Sequence, residues 1–317
     1  MICISFLSKK MLWDRSRNMR TYQVLHPAAR ELPNQLSRAV IAKGHNKSVA
    51  AVAPRFCQLD HRPEVRYFEV LPDTIDRNTP VVVVVHGISR HAREYASIFS
   101  GLASSGKAIL IAPLFDDVKF NGYQRPGLAK TSVAKRSDNA LNDILKNVQD
   151  EYGVDTSRIH LFGFSGGAQF SQRYALFYPQ RVERLVLAAP GWFTMPDEKY
   201  SYPYGLGQKL IDTNLKFRFN ETLSIPTLLL SGGDDIYRDA GLNKTARIDR
   251  RQGMTRLERA YNWEKEIRAS ADEINQPILL EHEVIADAGH NFIDNVRRYS
   301  VDHLIEEFLF RKPKETE

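Results

Sequence analysis

Seven short runs rich in Val, Ile and Leu punctuate the chain: RYFEVL (66–71), VVVVVH (81–86), AILIAPL (108–114), RIHLFGF (158–164), RLVLAAP (184–190), TLLLSGG (227–233) and ILLEHEVI (278–285). Their apolar character is near-continuous rather than alternating, which is how strands read when helices cover both faces of a parallel sheet. Between the runs the spacing becomes helical. Asp138 reads as an N-cap ahead of Leu141, Ile144, Leu145 and Val148, with Gly153 just past the end. A second helix starts at the glycines after Ser165 and stops before Pro179. A third runs from about Met254 to Ala271 with Leu257, Ala260, Tyr261 and Ile267 on one face, and a last covers about 296–310. This alternation predicts an α/β fold built on a doubly wound, mostly parallel sheet flanked by helices.

Residues 1–62 carry no sustained period and are read as a partly irregular N-terminal extension with one helix near 31–42. The main domain is placed at 63–312, with a small lid at about 192–225 and a tail at 313–317.

Composition narrows the function classes. With 43% hydrophobic and 26% charged residues in 317, the chain has the balance of a soluble globular protein. No apolar run approaches 18 residues, so no membrane span is expected. The opening MICISFLSKK places its apolar residues before its lysines, the reverse of a secretory signal, and Met11 and Met19 stand as alternative starts. The net charge of +6 is spread along the chain without a basic block or a nucleic-acid motif, so no nucleic-acid partner is expected. Two cysteines, Cys3 and Cys57, form neither a zinc pattern nor a disulfide framework. They fit a cytoplasmic location, and no metal or cofactor is expected.

The candidate chemistry lies at strand ends, where sheets of this kind gather their ligands. GFSGG (163–167) matches the G-x-S-x-G turn that raises a serine between a strand and a helix, making Ser165 a candidate nucleophile. A serine needs a base and the base an orienting acid. Asp235 follows Gly232 by three residues, with Asp234 as its neighbouring competitor, and His290 lies on the loop before the last helix. The other histidines sit within strands, within the terminal helix or in the extension, apart from His86, read as a support for its loop, and His91. The N–H groups of Ile88, after His86-Gly87, and of Gly166 are the candidate oxyanion donors. Trp192 and Tyr204 in the lid are candidate substrate-binding residues, as lining or as packing, and Arg90 is a candidate for a substrate carboxylate or for bridging loops.

Taken together, HG (86–87), GFSGG (163–167), G-x-x-D (232–235) and GH (289–290) resemble the α/β-hydrolase superfamily over about residues 64–312. HGISRHAREYA, PLFD, GYQRPG, FGFSGGAQFSQRYALFYPQRV and APGWFTMPD resemble a bacterial group related to esterases and polyhydroxyalkanoate depolymerases. The resemblance implies a metal-free serine esterase mechanism acting on a small-molecule ester. An amidase or peptidase on the same residues and a non-catalytic binding protein of the same fold are the alternatives, and the resemblance leaves the substrate open.

Overall fold

The computed structural model describes residues 52–312 apart from 129, 133, 134 and 213. Eight strands form one sheet: β1 (Arg55–Leu59), β2 (Arg62–Val70), β3 (Val81–Val85), β4 (Ile109–Leu114), β5 (Ile159–Phe164), β6 (Val182–Ala188), β7 (Thr227–Gly232) and β8 (Leu280–Ile285). Their spatial order is β1-β2-β4-β3-β5-β6-β7-β8. β1 and β2 run antiparallel to their neighbours, and β4 through β8 pair in parallel. The helices are α1 (Ala92–Ile98), α2 (Ser100–Ser104), α3 (Ser137–Tyr152), α4 (Gly166–Phe177), α5 (Phe219–Leu223), α6 (Ala246–Gln252), α7 (Arg256–Glu273), α8 (Phe292–Tyr299) and α9 (Val301–Leu309).

The valine run of β3 explains the architecture. Side chains alternate across a sheet. Val81, Val83 and Val85 therefore enter a core with α3, α4 and α7, while Val82 and Val84 enter a second core with α1, α2, α8 and α9. All five valines are buried because neither face meets water. At about 1.5–3 kcal/mol for each fully buried aliphatic side chain, the two cores fix β3 and β5 at the centre and set the height at which their ends emerge.

Several expectations are corrected. β1 joins the sheet from within the stretch read as an extension, so the sheet begins at Arg55 rather than after 62. The helix expected near 31–42 and the tail at 313–317 lie outside the described residues. β8 is an edge strand whose only fully buried residue is Leu280, not a strand covered on both faces. Asp138 is no N-cap: Arg136 holds that place, and Asp138 is buried in the first turn, receiving Arg136, Tyr178 Oη and the Gly127 N–H. Tyr261 is half exposed on α7, whose buried face is instead Arg256, Arg259, Ala260, Trp263, Ile267 and Ala271. The last helix breaks at Ser300, with φ 51°, into α8 and α9.

Candidate active site

Ser165 occupies the turn between β5 and α4 with φ 53° and ψ −111°, a backbone state a side-chain-bearing residue adopts only under constraint. The constraint is visible on both sides. Its N–H donates to the Ala188 carbonyl at 2.8 Å, and its own carbonyl accepts from Gln169 N–H at 3.2 Å. A Cβ on Gly167 would lie 2.1 Å from the Val85 carbonyl oxygen, so only glycine lets α4 start against the end of β3. The serine thus stands at the tip of the turn with the N-terminus of a buried twelve-residue helix directly behind it.

The loops after β7 and β8 cross at a pair of glycines. Cβ atoms on Gly232 and Gly233 would meet the carbonyl oxygens of Ala288 and Ala286 at 2.2 and 2.1 Å. Their absence lets the β7 loop lie on the β8 loop, with Gly233 N–H donating to Ile285 and Asp234 N–H to Ala288. This crossing sends the two aspartates in opposite directions. Asp234 is exposed, whereas Asp235 is buried and its Oδ2 lies 2.7 Å from His290 Nδ1. His290 Nε2 lies 3.0 Å from Ser165 Oγ, and its ring stacks on Phe164 with centroids 5.0 Å apart. With Asp235 accepting from Nδ1–H, Nε2 is left to accept the serine hydroxyl.

Ile88 and Gly166 meet on the other side of the serine. A Cβ on Gly166 would lie 2.9 Å from Ile88 Cγ2 and 2.8 Å from Tyr123 Oη. Neither amide N–H donates a hydrogen bond among the described residues. His86 braces this loop as a neutral imidazole. Its Nδ1 bonds the Gly87 carbonyl at 2.8 Å and its Nε2 accepts from Phe115 N–H at 3.1 Å. Burial pushes its pKa down to about 4. Tyr123 Oη donates to the His86 carbonyl at 2.7 Å.

The three candidate substrate contacts have partners of their own. Arg90 donates to the Phe115 carbonyl and sits over the Tyr123 ring at 5.3 Å, bridging loops beside Ile88. Trp192 is buried between the guanidinium of Arg173, 4.1 Å from its ring, and Tyr204 at 5.4 Å; Arg247 covers Tyr204 at 4.8 Å. In the segment 192–225, Phe193 stacks on Trp263 and Tyr202 donates to the Pro126 carbonyl, so most of its aromatic side chains pack it down.

Ser231, His282 and Glu264 imitate the first array, with contacts of 2.9 and 2.7 Å. Ser231, however, lies within β7, whose backbone is paired with β6 and β8, and it lacks the left-handed backbone of Ser165. That cluster satisfies buried polar groups. Among the described residues no group of three or more His, Cys, Asp or Glu converges as metal ligands would. Sequence reasoning missed Arg256, whose Nη1 donates to Asp235 Oδ1 at 3.0 Å. Its signal was a cation in the first turn of a helix, where the dipole disfavours it unless anions meet it.

A family model described as the alpha/beta hydrolase fold matches residues 80–208. The chain is 26% identical over 224 residues to the pimeloyl-[acyl-carrier protein] methyl ester esterase of Nitrosomonas europaea, a match spanning 67% of this chain and 81% of that one. Two further curated relatives are matched over only 28% and 32% of their own length. Among solved structures, poly(aspartic acid) hydrolase-1 from Sphingomonas sp. KT-1 is similar with a TM-score of 0.65 at 24% identity, covering 77% of this chain and 94% of that one. LpqC, a poly(3-hydroxybutyrate) depolymerase from Bordetella parapertussis, gives 0.65 at 23% identity, covering 80% and 94%.

Proposed function

The chain has the alpha/beta hydrolase fold, and from that premise we propose that it is a serine hydrolase cleaving carboxylic esters through an acyl-enzyme. One observation carries the reading: Ser165 Oγ, His290 and Asp235 form an unbroken chain of contacts at 3.0 and 2.7 Å beside two amide N–H groups that donate to nothing among the described residues. In this reading Ser165 Oγ attacks the ester carbonyl while His290 Nε2 takes its proton, and Asp235 holds the ring and faces the imidazolium that forms. The Ile88 and Gly166 N–H groups receive the developing oxyanion, each such donor supplying about 10²–10³ in rate in enzymes of this type. His290 returns the proton to the departing alcohol, and a water activated by the same nitrogen releases the acid.

Similarity to a methyl ester esterase supports ester substrates. Amide cleavage is the second reading, favoured by the similarity to poly(aspartic acid) hydrolase-1, whose polymer is linked by amides. The catalytic unit in this account includes β1, with residues 192–225 as a small lid, a small-molecule ester as partner and a cytoplasmic setting. No described helix is long and apolar enough to cross a membrane. Matched p-nitrophenyl ester and p-nitroanilide substrates, run on wild type and Ser165→Ala, test the proposal. Ester turnover lost in the variant is expected, and turnover retained there rejects it.

A further inference from the structure

Arg256 opens α7 immediately after its cap, Thr255, which accepts from Glu258 N–H. A cation in a first helical turn faces the positive end of the macrodipole, and this one is also buried, with its side chain 2% exposed. Burial of a charge demands close partners. Arg256 has two acids. Nη1 donates to Asp235 Oδ1 at 3.0 Å and to Asp239 Oδ2 at 2.7 Å, and Nη2 donates to Asp239 Oδ1 at 2.9 Å. Asp239, on the same β7–α6 loop as Asp235, is 41% exposed. The Arg256 hydrogen bonds hold its carboxyl down to about 2.

We infer that Arg256 is a positioning residue for Asp235 and Asp239 its clamp, an inference that rests on reading Ser165, His290 and Asp235 as a catalytic triad. The geometry divides the Asp235 carboxylate between two partners: Oδ2 faces His290 Nδ1 and Oδ1 faces Arg256. A carboxylate held at both oxygens cannot rotate away from the imidazole, so His290 Nε2 stays on Ser165 Oγ. The two-point pair with Asp239 fixes the guanidinium in turn. Gly241, on the same loop, lies between this clamp and the Ile88 side chain, since a Cβ there would lie 3.3 Å from both Asp239 Oδ1 and Ile88 Cδ1.

A charge consequence accompanies the geometric one. Among the described residues, the charged groups hydrogen-bonded into the array are Asp235 and Asp239 from the β7–α6 loop and Arg256 from α7; the Phe164 ring from β5 is neutral. Behind Arg256 on the same helix, Arg259 is paired with Asp249. Arg256 disfavours the imidazolium that forms on His290, and Asp239 offsets it. Neutralising one or the other must move the acid limb of the rate profile in opposite directions.

The test uses the full chain with a p-nitrophenyl ester and reads kcat, KM, the pH profile of kcat/KM and Tm. Arg256→Gln is expected to lower kcat about 10- to 100-fold with KM within about 3-fold, and to move the acid limb up by about 0.5 pH unit. Asp239→Asn is expected to move that limb down. Arg256→Lys keeps the charge without the two-point fit, so the limb stays in place while part of kcat is lost. A lowered Tm with wild-type kcat and unmoved limbs in Arg256→Gln and Asp239→Asn overturns the inference and leaves Arg256 a loop fastener. If Arg256→Gln does not fold, Asp239→Asn decides alone through its limb. Fluorophosphonate labelling of wild type in the same preparations separates the failures. An unlabelled wild type overturns the triad reading, whereas a labelled one with unmoved limbs overturns only the role of Arg256.

Discussion

Replacing Asp235 by Asn, set against the same change at Asp234, tests which aspartate serves His290. In the structure Asp235 Oδ2 lies 2.7 Å from His290 Nδ1, while the Asp234 side chain is exposed. The reaction puts a full positive charge on the imidazole only as Ser165 attacks. Two unit charges centred roughly 4 Å apart interact by about 4 kcal/mol at an effective dielectric near 20. Realised only in the transition state, that amounts to about 10³ in rate. An Asn presenting its amide to Nδ1 would also favour the wrong tautomer, adding to the loss. Asp235→Asn is therefore expected to lower kcat/KM by about 10³ or more, with kcat carrying most of the change. Asp234→Asn should stay within about 2-fold, since surface substitutions away from such contacts change little. The assay is p-nitrophenyl ester hydrolysis at several pH values, with circular dichroism to establish that each variant is folded. A folded Asp235→Asn that keeps a tenth of the wild-type rate, or an Asp234→Asn that loses as much, would refute the reasoning.

Two further outcomes follow from the packing around the site. Gly167→Ala puts a Cβ 2.1 Å from the Val85 carbonyl, and loss of soluble protein or a fall in stability of more than about 3 kcal/mol is expected in chemical denaturation; wild-type stability would contradict the close approach. His86 is buried and His160 half-buried with its Nδ1 shut off from solvent, and this desolvation pushes each pKa down to about 4 against about 6.5 unfolded. Between those values the unfolded chain binds more protons, so stability rises with pH in that window and is lost as pH falls through it. From pH 7 to pH 5 each histidine should cost about 2 kcal/mol, read as a lowered urea midpoint, and a midpoint unchanged over that range would count against neutral buried rings.

The apolar runs of β3 to β7 were legible because strands covered on both faces leave no room for polar residues, and the five valines of β3 are the extreme case. β1 was not legible: RFCQL is short, lies at the sheet edge and buries only Leu59, so it leaves no apolar run to read. β8 misled for the converse reason, since its apolar residues border an edge and most of its side chains meet solvent. The break at Ser300 was hidden because apolar spacing continues through it from α8 into α9. At the site, Ser165 and His290 were marked by glycines that can be named in the sequence. The choice between Asp234 and Asp235 depended on how two loops cross at Gly232 and Gly233, a relation between segments more than fifty residues apart. Arg256 and Arg259 lie on a helix read only through its apolar positions; what they face are the Asp235, Asp239 and Asp249 carboxylates, which only the fold brings to them.

The central claim is that Ser165 is the reacting group. Incubation of the full chain with a fluorophosphonate probe, followed by intact mass and peptide mapping, tests it most directly. The account predicts one adduct per chain, mapped to Ser165, absent from Ser165→Ala and strongly slowed in His290→Ala. An adduct on any other residue, or a Ser165→Ala protein that labels as fast as wild type, would contradict it.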